Sequence, residues 1–179
     1  MSYVYYYVYA PITGTVTGRP SGYCDGGSHP THNSDWDSPY DLAGSGSIKF
    51  IGSPNIGSIK ITVQNNSLCS GYPAPWSTGV KVDFYSGAGN SGYIGSTYYG
   101  HVAQPTGAVG IPLNTNNWTL GAVPTTCPDT PCDPNDGCFT GPHSHFEKYK
   151  SDISSYYSRS CYSTAYQGST RMYRWAVLL

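Results

Sequence analysis

Apolar and polar residues alternate with a period of two along much of the chain, the repeat of a strand that buries one face and solvates the other. The alternation predicts strands at residues 3–9, 47–51, 58–64, 80–85, 95–102, 118–122 and 143–148. A last strand is predicted in the stretch from Thr170 to Trp175, whose arginines lay their stems along the sheet and keep their charges in water. Between these runs lie three long segments rich in turn-forming residues, 19–40, 65–78 and 124–139. Loops of that length inside a compact domain are usually functional or pinned down. Only 148–157 suggests a helix, and a short one. No internal repeat, heptad pattern or linker interrupts the chain. The pattern predicts an all-β fold of mainly antiparallel sheets with long loops and at most one short helix.

Composition supports this reading. Gly 22, Pro 14 and Tyr 18 dominate, a mixture suited to half-buried strands joined by tight turns. A length of 179 residues suits one domain, 1–179, with a single core. Charged residues are 11 % of the chain and the net charge is -1, so no basic field exists to hold nucleic acid or an anionic membrane surface. No apolar run approaches the roughly 18 residues of a membrane span. Residues 2–10 read as a strand and not as an export signal. Six cysteines, Cys24, Cys69, Cys127, Cys132, Cys138 and Cys161, suit disulfides in an oxidising, extracellular setting, with their pairing open. If the chain is exported, its signal has been removed or another route is used. A metal knuckle at Cys127, Cys132 and Cys138 is the alternative, but their spacing fits no usual structural zinc pattern.

Candidate chemistry begins at His143-Ser144-His145. Side chains two apart on a strand share a face, so both imidazoles enter one space. Imidazole serves both as zinc ligand and as acid or base near neutral pH; the bland alternative is a stacking pair without chemistry. The remaining histidines, His29, His32 and His101, sit at loops and strand ends, where sites are built. A catalytic zinc takes three protein ligands and keeps one open position, which two histidines and a carboxylate satisfy. Asp35 and Asp37 flank Trp36 in mobile-looking sequence and read as solvated. Asp41, following the turn Ser38-Pro39-Tyr40, is the carboxylate expected on a regular element. Glu147 shares the face of the histidine pair and is either a partner of a ligand or a strand-edge charge. Asp129, Asp133 and Asp136 suggest calcium less than turn chemistry.

Four segments in order, Gly26-Gly27-Ser28-His29, Tyr40-Asp41-Leu42, Tyr98-Tyr99-Gly100-His101 and Thr140-Gly141-Pro142-His143-Ser144-His145-Phe146-Glu147, resemble the motifs of the M23 family of zinc metallopeptidases, which includes lysostaphin-like and β-lytic endopeptidases. The resemblance covers residues about 26 to 148. The His-x-x-x-Asp that opens the site in most of the family is absent, and the chain is nearer to the β-lytic subgroup. The resemblance implies a sheet-floored groove, a Zn2+ held by His29, Asp41 and His145, with His32 as alternative first ligand, and His101 and His143 as catalytic imidazoles. It also implies hydrolysis of Gly- or Ala-rich cross-link or stem peptides of bacterial peptidoglycan by a secreted monomer. Trp36, Tyr40, Trp76, Tyr98 and Tyr99 are the expected groove walls. The competing expectations are a non-catalytic cell-wall- or glycan-binding module on the same fold and a structural, self-assembling surface protein.

Overall fold

The computed structural model describes every residue except Thr130, Pro134, Asp136, Gly137, Ser151 and Asp152. In chain order its strands are β1 (Tyr3–Tyr9), β2 (Gly14–Arg19), β3 (Gly22–Tyr23), β4 (Trp36–Ala43), β5 (Ser47–Ile51), β6 (Ser58–Asn65) and β7 (Thr78–Tyr85). They continue with β8 (Tyr93–Gly100), β9 (Asn117–Ala122), β10 (His143–Tyr149), β11 (Ser154–Tyr156), β12 (Thr164–Ala165) and β13 (Arg171–Leu178). Helical structure among the described residues is confined to two short 3-10 turns, Ser67–Cys69 and Ala88–Asn90.

All eight predicted strands form, but the helix expected at 148–157 does not. There β10 runs to Tyr149, and Ser154, Ser155 and Tyr156 pair with Trp175, Arg174 and Tyr173 of β13. Strand pairing overrides a weak local preference. The largest omission is β4, whose sequence Trp-Asp-Ser-Pro-Tyr-Asp-Leu-Ala argues against a strand because proline cannot donate to a ladder. The sheet accommodates Pro39 at an irregularity. The β4–β10 register steps from Tyr40↔Phe146 to Asp37↔Lys148, and Ser38, with φ 54, takes the turn.

The principal sheet runs β12-β2-β4-β10-β8-β7-β6, with β3 added to β2, while β1-β13-β11 and β5-β9 form two smaller sheets. All pairs are antiparallel. One core joins the three sheets. Phe84 on β7 packs 5.6 Å from the Phe50 ring on β5 and edge-on, 4.7 Å, against Trp175 on β13, so one side chain touches all three. Behind the middle of the principal sheet, Tyr40, Phe146, Tyr99 and Tyr173 stack, and the buried Tyr173 hydroxyl is shared between the carbonyls of Ser38, 2.6 Å, and Phe146, 3.1 Å. Phe146 thus commits one face of β10 to the core and leaves His143, His145 and Glu147 to the other.

That other face is covered by the long loops, and disulfides pin them. Cys24–Cys161 ties the first loop to the segment before β12, Cys69–Cys138 joins the second loop to the third, and Cys127–Cys132 closes within the third. Three disulfides fit an oxidising compartment. Among the described residues no helix is long and apolar enough to cross a membrane.

Because Phe84 is fully buried where three sheets meet, Phe84→Ala is expected to cost about 3–5 kcal/mol, read as a lowered urea midpoint at unchanged slope. A loss below about 1 kcal/mol would show that the sheets hold together without it.

Candidate metal centre

Register assembles the centre. His145 stands opposite Asp41 of β4 on one side and Gly100 of β8 on the other, and Asp41 stands opposite Gly18 of β2. His29 comes down from the loop between β3 and β4 onto Gly18, where a Cβ would lie 2.7 Å from the imidazole Cε1. Glycine there makes room for the ring. The result is one donor atom each from His29, Asp41 and His145, all within 4.8 Å of one another.

These donor atoms are close enough together to hold a metal ion. His29 Nδ1 lies 3.1 Å from the Arg19 carbonyl, which can only accept, so Nδ1 donates to it. Its Nε2 is buried and faces Oδ1 of Asp41 at 3.2 Å. His145 repeats the arrangement: Nε2 meets Glu147 Oε1 at 2.6 Å and Nδ1 meets the same Asp41 Oδ1 at 2.8 Å. Burial pulls the His145 pKa down, but the hydrogen bonds to Asp41 and Glu147 outweigh it and hold the group up at about 10. Asp41 is held well below the usual carboxylate range against its own burial, chiefly by His143 and His29 and by its bonds to His145 and His29. Two imidazole nitrogens and a carboxylate oxygen converging on one point are a donor set for a divalent metal.

A second layer fixes the first. Glu147 is fully buried; its Oε1 also accepts the His32 backbone N–H at 2.7 Å and its Oε2 accepts His32 Nδ1 at 2.5 Å. Burial raises the pKa of Glu147, yet the bonds from His145 and His32 bring it below its usual range. His32 itself stacks on Tyr98, centroids 3.5 Å apart and planes 12° apart, and the Ser67 hydroxyl donates to its carbonyl. His32 therefore lies outside the cluster and holds Glu147, while His29 lies inside it. The role of His32 as support was not read from sequence; the one available signal was that Glu147 shares the face of His145.

His101 and His143 stand beside the cluster. His101, with φ 52, gives its Nδ1–H to the Trp76 carbonyl at 3.1 Å; His143 gives its own to Gly141 at 2.8 Å. His143 Nε2 is 3.9 Å from Asp41 Oδ1. Their rings are 4.9 Å apart, edge to face, and Phe139 packs against both. Burial, reinforced by the neighbouring His143 and His145, keeps the His101 pKa well below its usual range. Cys69, His101 and Cys138 also bring three donor atoms together. The two sulfurs are bonded to each other, however, and are not thiolate ligands.

Two cavities of about 350 and 330 Å³ open on this face and share Tyr23, Asp25, Asp41, Thr140 and His143. The expected aromatic walls are not there. Tyr40 and Tyr99 are buried on the opposite face of the sheet, Tyr98 and Trp36 are buried beneath His32, and Trp76 packs with the Cys69–Cys138 cluster. The exposed tyrosines lining the opening are Tyr23 and Tyr162. They were missed because the disulfide that brings them together, Cys24–Cys161, spans 137 residues. Asp35 is exposed, as expected, but Asp37 pairs with Lys148 at 2.7 Å. Of the calcium candidates, Asp133 accepts the Asn135 N–H in an Asx turn and Asp136 lies outside the described residues. Comparison with family models, curated proteins and solved structures finds no match to this chain.

If Glu147 orients His145 and Gly18 seats His29, then Glu147→Gln and Gly18→Ala each weaken zinc binding, about 10- to 100-fold, in a competition titration against a chromophoric chelator. Unchanged affinity in both variants would contradict the assignment.

Proposed function

We propose that this protein is a zinc-dependent endopeptidase that hydrolyses peptide bonds in bacterial peptidoglycan. The observation that carries the proposal is the convergence of His29 Nε2, His145 Nδ1 and Asp41 Oδ1 within 4.8 Å of one another, beside an open cavity. The donors fit zinc: two neutral imidazoles and one carboxylate form a three-ligand set that leaves a position free for chemistry. Bound there, zinc supplies Lewis acidity and brings the pKa of a water to about 7. The protein's own residues do the rest. With the metal in place, Glu147 would hold the His145 proton on Nε2 and leave Nδ1 to the ion. His143, with its Nδ1–H spent on Gly141 and its Nε2 next to Asp41, accepts the proton of the attacking water and returns it to the leaving amine. His101 stands beside it, its ring fixed by Trp76 and Phe139.

The peptidoglycan substrate is drawn from the resemblance of the four ordered motifs to M23 peptidases, and secretion is supported by the three disulfides. A second reading, a wall- or glycan-binding surface, is favoured by Tyr3 and Tyr5, 46 % and 41 % exposed on the outer face of β1 with rings stacked at 6.3 Å.

The two readings separate on insoluble peptidoglycan. The zinc-loaded protein is expected to release new amino termini, His145→Ala to lose both zinc and activity, and His143→Ala to keep zinc while losing about 10²- to 10⁴-fold in rate. Binding without release of amino termini, or full activity in His143→Ala, would overturn the peptidase reading.

A further inference from the structure

The opening over the cluster has a chemical bias that the hydrolytic residues do not explain. No lysine or arginine is among the residues lining either cavity. Asp41 is committed to His29 and His145, which leaves Asp25 as the second carboxylate lining both cavities. Asp25 is exposed, and among the described residues no cation pairs with it. Two tyrosines line a cavity with it. Tyr23 is 36 % exposed and lies 4.7 Å from the His29 ring; Tyr162 is 63 % exposed and lines the same cavity.

These groups are held in place by covalent and backbone structure. Cys24, between Tyr23 and Asp25, is bonded to Cys161, the neighbour of Tyr162. Tyr162 takes φ 62, a conformation disfavoured for a residue with a side chain, and its N–H donates to the Val16 carbonyl at 2.8 Å. The Tyr23 N–H donates to Gly27 at 3.0 Å, closing the turn that presents Asp25. An exposed carboxylate and two tyrosines lining one cavity, with no lysine or arginine along the walls, are complementary to an ammonium group, which the carboxylate attracts by charge and aromatic rings by cation–π contact.

We propose that Asp25, Tyr23 and Tyr162 form an ammonium subsite, and that the peptide taken by this groove carries a primary amine near the cleaved bond. The inference rests on the peptidase reading and narrows its substrate class to amine-bearing peptides. Asp25 is then a specificity-determining residue that does not take part in bond cleavage.

The test uses blocked glycine pentapeptides in which one lysine is walked through the five positions, each paired with its Nε-acetyl-lysine counterpart, titrated into the zinc-loaded full chain by calorimetry. At one position the free-amine peptide is expected to bind about three- to tenfold more tightly than the acetylated one. In Asp25→Asn that ratio falls to about one, and in Asp25→Lys the groove instead prefers a glutamate peptide over its glutamine counterpart. Zinc content is measured on the same samples. Equal binding of amine and acetylated peptides at every position, or a ratio that survives Asp25→Asn, overturns the subsite while leaving the peptidase reading standing. No peptide binding at all, or no zinc uptake, overturns both.

Discussion

The structure of the centre depends on one imidazole gripped at both nitrogens by carboxylates. His145 meets Glu147 through Nε2 and Asp41 through Nδ1. Neither carboxylate can donate, so His145 must either carry two protons or give one up to a cation that Asp41 and His29 share. His29 is held in the same way, its Nδ1 donating to a backbone carbonyl and its Nε2 facing Asp41. Buried polar groups this close are costly to assemble unless protons or a cation link them. The three converging donors are positioned to hold a metal ion.

The fold supplies the precision this requires. His145, Asp41 and Gly100 are cross-strand neighbours in the middle of the principal sheet, and the opposite face of those strands is locked by Phe146, Tyr40 and Tyr99 in the core. A register slip of one residue would exchange the two faces, sending Phe146 to the groove and the histidines into the core. Core packing and site geometry are therefore the same constraint. The elements that rest on loops, His29, His32 and His101, are fixed by contacts of other kinds: Gly18 beneath His29, stacking of His32 on Tyr98, and the Cys69–Cys138 bridge against His101. Loops thus meet the sheet at three anchored points.

Much of this was legible in the sequence because it is local. The period of two located β1, β5, β6, β7 and β10, and within β10 it placed His143, His145 and Glu147 on one face. What stayed illegible is long-range. β4 was hidden by Pro39 and by two aspartates, residues that weaken any strand pattern, although one of them is the shared carboxylate. Whether His29 or His32 faces the cluster turns on Glu147, which is 115 residues from His32 in sequence. The groove walls were misplaced because aromatic residues such as Tyr98 and Trp36, which suit a binding surface, suit a core equally well. The tyrosines that do face the opening are brought together by a disulfide whose pairing no spacing revealed.

The central claim is that two histidines and one aspartate, with no sulfur, hold a metal between the sheet and the first loop. Zinc K-edge X-ray absorption on the zinc-loaded protein tests it most directly. The account predicts a first shell of nitrogen and oxygen only, at about 2.0–2.1 Å, with the multiple-scattering signature of two imidazoles. A sulfur scatterer near about 2.3 Å, or imidazole scattering unchanged when His29 and His145 are both replaced by alanine, would contradict it.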